Sequence, residues 1–257
     1  MLILKNICAA YGKKQILHNI SLSFQPGKIY TIIGKNGSGK SSLMKSIIGL
    51  MTLNSGNVTL NGDNVFQLPP KTRAQSISYL SQHRNTSNIL VEQIVLHGRH
   101  PYMTKNERSN TEIHTQAIDY AIQTMDLTEH RKTPLSNLSG GEMQRTYIAM
   151  VLAQDTPIVM FDEPTTFIDI EYQVRFLEVV KQLKEKQKTV ILVLHDLTSA
   201  LEISDKIILM DKGQIKCVLP PNEMIQTGNI EKYFNVDIVS NNGVYIIKPT
   251  KKIQRNE

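Results

Sequence analysis

No apolar run in this sequence is long. Among its 257 residues the longest unbroken hydrophobic stretch is the seven from Tyr147 to Ala153, whereas a membrane-spanning helix needs about 20. No segment is therefore expected to cross a bilayer. A secretory leader is not expected either, because Lys5 and Asn6 interrupt the short apolar start Met1-Leu2-Ile3-Leu4. Cysteine is scarce. Cys8 and Cys217 lie far apart and match no metal-ligand spacing, which leaves a single disulfide or, as expected in a reducing cytoplasm, two free buried thiols. There is no convincing repeat or low-complexity tract, and a hydrophobic content of 40% is too high for a disordered chain.

What the sequence does have is enough length for one or two domains at a soft ~150 residues each, burying roughly 70–75% of the surface its unfolded chain exposes. Lysine and arginine outnumber aspartate and glutamate 29 to 23, a formal charge of +6. That excess fits nucleic acid, an anionic membrane surface or anionic substrates such as nucleotides. It fits equally a domain that is merely kept soluble.

The first thirty residues alternate apolar and polar, as in Ile20, Leu22 and Phe24, and read as half-buried strands. After the Pro26-Gly27 turn, residues 28–33 read as a strand entering a glycine-rich loop, and 41–50 as the helix leaving it. Ser55-Gly56 and Asn61-Gly62 bracket Val58 and Leu60, predicting small antiparallel strands over 54–65. Then the pattern changes. Val91, Ile94 and Val95 fall on one helical face with Gly98 as C-cap, and Ile113, Ala117, Ala121 and Met125 recur every four residues. Residues from about 84 to 148 therefore read as helical, interrupting a strand–helix alternation that resumes at 157–161, 190–194 and 206–210. The expected organisation is one α/β domain with a nucleotide-binding core at 1–83 and 149–230, a helical subdomain at 84–148 and an extension at 231–257. Within that extension 236–249 reads as a hairpin about Asn241-Asn242-Gly243, and the closing Lys248, Lys251, Lys252 and Arg255 as a solvated basic end.

Gly34-Lys35-Asn36-Gly37-Ser38-Gly39-Lys40-Ser41 matches G-x-x-x-x-G-K-[ST] at every fixed position, between a predicted strand and a predicted helix. Glycines let backbone N–H groups curl around a phosphate without Cβ clashes, and the helix N-terminus adds positive potential. Lys40 is expected to meet the β- and γ-phosphates and Ser41 to ligate Mg²⁺. Further on, Ile158-Val159-Met160-Phe161 reads as a buried parallel strand ending in Asp162-Glu163-Pro164. Carboxylates there sit where α/β sheets bind ligands. Asp162 is expected to hold Mg²⁺ through water, and Glu163 to act as the base for an attacking water.

Leu138-Ser139-Gly140-Gly141-Glu142-Met143-Gln144-Arg145 has its Gly140 22 residues before Asp162. Ser139 and Glu142 form an S-x-x-E capping box opening a helix. The two glycines lower that helix's propensity by ~1 kcal/mol each, but they strip its first turn of side chains, so that a phosphate can approach free N–H groups.

With these motifs together, nearly the whole chain resembles the ATP-binding cassette (ABC) transporter ATPases. The resemblance implies a P-loop NTPase core, RecA-like, with a small antiparallel β subdomain and a helical insertion. It implies ATP hydrolysis with Mg²⁺. It implies that Ser139, Gly140 and Gly141 act in trans, on the nucleotide of a second subunit in a head-to-tail dimer. Tyr11 resembles the aromatic that stacks on adenine; Gln82, after Tyr79-Leu80-Ser81, the glutamine that senses Mg²⁺ and the γ-phosphate; Asp169 the aspartate crossing the dimer interface; and His195, 33 residues after Asp162, the histidine on the γ-phosphate. Lys35 stands where many relatives have proline, Ser42 where many have threonine, and Ile168 where leucine is usual. None of these changes removes a required group.

Gly98-Arg99-His100-Pro101-Tyr102, residues 148–154 and residues 163–170 resemble the importer ATPases for iron chelates and cobalamin, the ferric-siderophore members most of all. The resemblance then implies separate membrane permease subunits, with residues about 84–105 facing them, an extracytoplasmic substrate-binding protein, and a peripheral position on the cytoplasmic face of the membrane. Haem and cobalamin are the alternative cargoes. An ABC ATPase acting on nucleic acid is the alternative of another class. Those proteins usually carry two cassettes or a long coiled coil, and this chain has one phosphate loop and no long heptad array, so no nucleic-acid partner is expected.

Overall fold

The computed structural model describes residues 1–82, 88–103, 112–166, 168–241 and 244–250. An N-terminal hairpin of β1 (Leu2–Tyr11) and β2 (Lys14–Phe24) is followed by β3 (Ile29–Ile33), α1 (Lys40–Ile47), β4 (Leu53–Leu60), β5 (Asp63–Asn64), α2 (Pro70–Ser76) and β6 (Ile77–Leu80). The helices α3 (Val91–His97), α4 (Glu112–Thr124) and α5 (Gly140–Gln154) come next and pack on one another. Alternation then returns with β7 (Ile158–Asp162), α6 (Ile170–Glu185), β8 (Thr189–Val193), α7 (Leu197–Ile203), β9 (Lys206–Asp211) and β10 (Gln214–Leu219). The chain closes through α8 (Pro221–Gln226), α9 (Asn229–Phe234) and the hairpin β11 (Val236–Asn241) and β12 (Val244–Pro249).

Two sheets organise the molecule. One is antiparallel, in the order β2-β1-β4-β5; the other runs β10-β9-β3-β8-β7-β6 and is parallel except for β10. Every residue of β3, β7 and β8 is buried, which is why these strands read as continuous apolar runs. Their side chains still alternate between two layers. Ile29, Ile33, Val159, Phe161, Val190 and Leu192 join the helical layer, while Tyr30, Ile32, Met160, Ile191 and Val193 join α1 and the antiparallel sheet. This period of two sends successive residues to opposite faces. The carboxyl ends of β3, β6, β7 and β8 consequently open on the same edge, where ligands of such sheets bind.

The structure is an α/β P-loop fold with the antiparallel subdomain and helical insertion the sequence predicts, and its details correct several expectations. Ile113 is 70% exposed, and the buried stripe of α4 is His114, Ile118, Ala121 and Ile122, continued by Met125. A strict four-residue repeat drifts about 40° per step around a helix, so the buried set follows the mixed three-and-four spacing instead. Gly98 caps α3 as expected, but in a right-handed conformation; a Cβ there would lie 2.2 Å from the Met150 carbonyl oxygen, so glycine serves the close approach of α3 to α5. α2, α8 and α9 are additional to the predicted elements, although Pro70 at the first position of α2 is a start signal. Cys8 and Cys217 are free and half-buried rather than buried. The hairpin forms as expected; its Asn242-Gly243 turn, and the basic Lys251, Lys252 and Arg255, lie outside the described residues. No helix among those described is long and apolar enough to cross a membrane.

Candidate functional site

The loop between β3 and α1 is built to bring backbone to one point. Gly37 and Gly39 take φ of 77° and 102°, open to glycine and strained for other residues. A Cβ on Gly34 would lie 2.3 Å from the Met210 carbonyl oxygen of β9, which fixes the loop against the sheet. Lys40 folds back over its own loop: only 5% of it is exposed, and its ammonium donates to the carbonyls of Gly34 at 2.9 Å and Lys35 at 3.3 Å. Burial pushes this ammonium's pKa down, opposed by the carboxylates of Glu163 and Asp162. Ser38 is also buried, and its Oγ has no partner.

β7 delivers two carboxylates with different surroundings. Asp162 is 1% exposed; Ser41 Oγ donates to its Oδ1 and the Tyr79 hydroxyl to its Oδ2, both at 3.1 Å. Burial raises its pKa, and the two donors offset only part of that rise. Glu163 follows the strand in a left-handed conformation, φ 54°, a cost of order ~1 kcal/mol for a residue with a Cβ. That turn is held by its N–H to the Val193 carbonyl at 3.2 Å. Gln82 Nε2 donates to Glu163 Oε2 at 2.6 Å, and His195 Nε2 lies 2.7 Å from Oε1. Two residues that leave two other strands, β6 and β8, thus converge on the carboxylate that follows β7.

A cavity of about 440 Å³ lies between these groups. Asn36, Gly37, Gly39, Lys40, Ser41 and Ser42 form one wall, and Gln82, Glu163 and His195 face them. Lys14 and Ile16 of β2 complete the lining; the sequence offered no signal for either. Gly34, Lys35 and Ser38 shape the loop without lining the cavity. Tyr11 is 53% exposed and does not line it either, but pairs with Lys14 at the hairpin end beside it. Oxygen donors from Ser41 and Asp162 lie side by side. No cluster of three or more His, Cys, Asp or Glu side chains suited to a metal occurs among the described residues. That donor set fits Mg²⁺, which is bound through one or two protein groups with phosphate and water oxygens supplying the rest.

The remaining predicted residues gather elsewhere. Ser139, Gly140, Gly141 and Asp169 line a separate concavity of about 630 Å³ with Glu142, Arg145, Ile168 and Tyr172. The capping box is present: the Ser139 N–H and hydroxyl both donate to Glu142 Oε2 at 2.8 Å, and the Glu142 N–H donates to Ser139 Oγ at 3.3 Å. These bonds hold the Glu142 carboxyl below the usual carboxylate range. Arg145 is buried, donates to the carbonyls of Met125 and Asp126 at 3.0 and 2.9 Å, and stacks 3.8 Å from the centre of the Tyr172 ring. Tyr172 in turn donates its hydroxyl to Asp126 Oδ2 at 2.8 Å, and its N–H to Asp169 Oδ1 at 3.1 Å. Gln144 reaches from α5 to the Pro164 carbonyl just past Glu163. No residue lines both concavities.

A family model described as "ABC transporter" matches residues 17–166. The petrobactin import ATP-binding protein YclP of Bacillus subtilis is 33% identical over 240 residues, 93% of this chain and 94% of that protein. The ferric enterobactin transport ATP-binding protein FepC of Escherichia coli is 35% identical over 234 residues, 90% of this chain and 86% of that protein. Among solved structures, the dimeric post-hydrolysis state of the ATP-binding cassette MJ0796 bound to ADP and Pi superposes with a TM-score of 0.78 at 27% identity, over 86% of this chain and 99% of the other.

Proposed function

The chain belongs to the ABC transporter family, and from that premise we propose that it is the ATP-hydrolysing subunit of an importer for an iron chelate, a ferric siderophore, carried through separate membrane permease subunits. The observation that supports this most is the convergence of Gln82, Glu163 and His195 opposite Lys40 and Ser41 across one cavity. The cargo rests on the relatives named for petrobactin import and ferric enterobactin transport.

In this reading the phosphates of ATP enter the loop, and the Lys40 ammonium exchanges the Gly34 and Lys35 carbonyls for the β- and γ-phosphate oxygens. Ser41 and Asp162 would hold Mg²⁺, and Gln82 would sense it; when bound, the ion would neutralise charge on the phosphate oxygens. Glu163 accepts a proton from the attacking water. The water oxygen bonds to the γ-phosphorus as the bond to the ADP oxygen breaks, releasing ADP and phosphate. Gln82 and His195 aim the Glu163 carboxylate, and His195 approaches the γ-phosphate. Asn36 to Gly39 and Ser42 wrap the phosphates, and Tyr11 stacks on adenine from the cavity rim.

The site is completed by Ser139, Gly140, Gly141 and Asp169 of a second, head-to-tail subunit, since within one chain these residues line a different concavity. The core of 1–83 and 149–230 binds nucleotide, and the helical subdomain of 84–148 meets the permease from the cytoplasmic face of the membrane. An extracytoplasmic binding protein supplies the cargo. Uptake of labelled ferric siderophore and labelled cobalamin in cells lacking this chain tests the proposal. Siderophore uptake should fall and return with wild type but not with Glu163→Gln. A fall in cobalamin uptake alone would contradict the cargo, and restoration by Glu163→Gln would contradict the hydrolytic role.

A further inference from the structure

We infer that Tyr79 is a positioning residue for the Asp162 carboxylate, and that its hydroxyl sets how tightly the nucleotide-bound site holds its divalent metal. The inference rests on the nucleotide-site reading above. β6 pairs with β7 in parallel register, Tyr79 opposite Met160. Side chains two apart on a strand share a face, so Tyr79 lies on the face of Met160 and, one repeat further along, of Asp162. There its hydroxyl donates to Oδ2 at 3.1 Å, while Ser41 donates to Oδ1 at 3.1 Å. A carboxylate gripped at both oxygens has its plane fixed, and each oxygen keeps a lone pair for water or a cation.

The phenol is suited to this task. It is half-buried, held within the β6 ladder, and its hydroxyl is aimed at Asp162 Oδ2. The same strand exit carries a second grip: three residues on, Gln82 bonds Glu163, the next carboxylate. Gln82 lies beyond the last paired residue of β6, Leu80, at the approach to the helical insertion, whereas Tyr79 lies within the ladder. The geometry therefore separates a fixed donor for the metal side from a donor for the base at the junction with the insertion.

Tyr79→Phe keeps the ring and removes the hydroxyl. The test is titration of Mn²⁺, followed by its free-ion paramagnetic resonance signal, into the full chain with a non-hydrolysable ATP analogue. Loss of a group that orients a metal ligand weakens metal binding by roughly 10-fold or more; that is expected here, with metal-free binding of the analogue unchanged. Tyr30→Phe is the control, since Tyr30 lies on β3 of the same sheet but its hydroxyl accepts from the Gln25 N–H at the opposite end of that sheet; it should leave the Mn²⁺ titration unchanged. Equal Mn²⁺ affinity in wild type and Tyr79→Phe overturns the role of Tyr79, as does an equal loss in Tyr30→Phe. A wild-type chain that shows no coupling between Mn²⁺ and the analogue overturns the site reading beneath it.

Discussion

The two concave faces of this chain differ in kind. The phosphate-loop face is lined by a buried ammonium, the Glu163 carboxylate and a histidine, with Asp162 bonded behind it to Ser41, all from the carboxyl ends of four strands of one sheet. The Ser139–Asp169 face holds N–H groups of a bare helix turn and a capped carboxylate, locked by the stack of Arg145 on Tyr172. In the proposed reaction the first face polarises and deprotonates, and the second positions an anion. Neither shares a residue with the other, and in the head-to-tail pairing proposed above each chain would supply one half of each of two composite sites.

The largest effect is expected on the chemical face. Glu163→Gln should lower ATP turnover about 10²- to 10⁴-fold, the range for loss of a general base, with nucleotide binding retained by calorimetry. A smaller effect, but on the other face, is expected from Arg145→Ala, which removes a buried guanidinium hydrogen-bonded to the Met125 and Asp126 carbonyls and stacked on Tyr172. It should cost about 3 kcal/mol in urea unfolding while leaving nucleotide affinity of the single chain intact. In the single chain Ser139→Ala removes the side-chain cap of α5, a loss of about 1 kcal/mol, measurable as a small drop in the thermal midpoint.

The smallest effect is one of pH. The Glu142 carboxyl is held below its ordinary value of 4.5, chiefly by the Ser139 N–H. A depressed carboxylate contributes stability above its unfolded pKa and loses it as pH falls through the folded one. In a His130→Asn background, which removes the imidazole 3.2 Å from Glu142 Oε1, the thermal-stability gap between the chain with and without Glu142→Gln should therefore be constant above about pH 5 and shrink only below 4.5. A gap that widens on acidification would contradict the capping account.

The two faces also differed in how much of them could be read from sequence. The loop of residues 34–41 is contiguous, since a turn of backbone N–H groups must come from neighbouring residues, and Asp162 and Glu163 announce themselves as ionised groups ending an apolar strand. The capping box was legible for the same local reason. Contacts between distant residues were not. Tyr79 meets Asp162 across 83 positions and Arg145 meets Tyr172 across 27, and no periodicity in a single strand or helix reports a partner elsewhere. The gathering of Ser139, Gly140, Gly141 and Asp169 was implied by family resemblance, whereas their separation from the phosphate loop is visible only in three dimensions. The four-residue repeat from Ile113 holds at Ala121 and Met125 but misses His114 and Ile118 at the start of α4, because a repeat of four drifts around a helix of 3.6 residues per turn.

In the proposed dimer the Ser139–Asp169 face of one chain completes the phosphate site of another. Gly141→Asp tests it cleanly, because a carboxylate in the first turn of α5 suits the helix itself yet opposes an incoming phosphate. Light scattering with ATP should give a doubled mass for Glu163→Gln, and a single-chain mass for Glu163→Gln carrying Gly141→Asp, while calorimetry shows that both still bind ATP. A doubled mass in the double variant would contradict the account, because a carboxylate at the closing face would then not prevent closure.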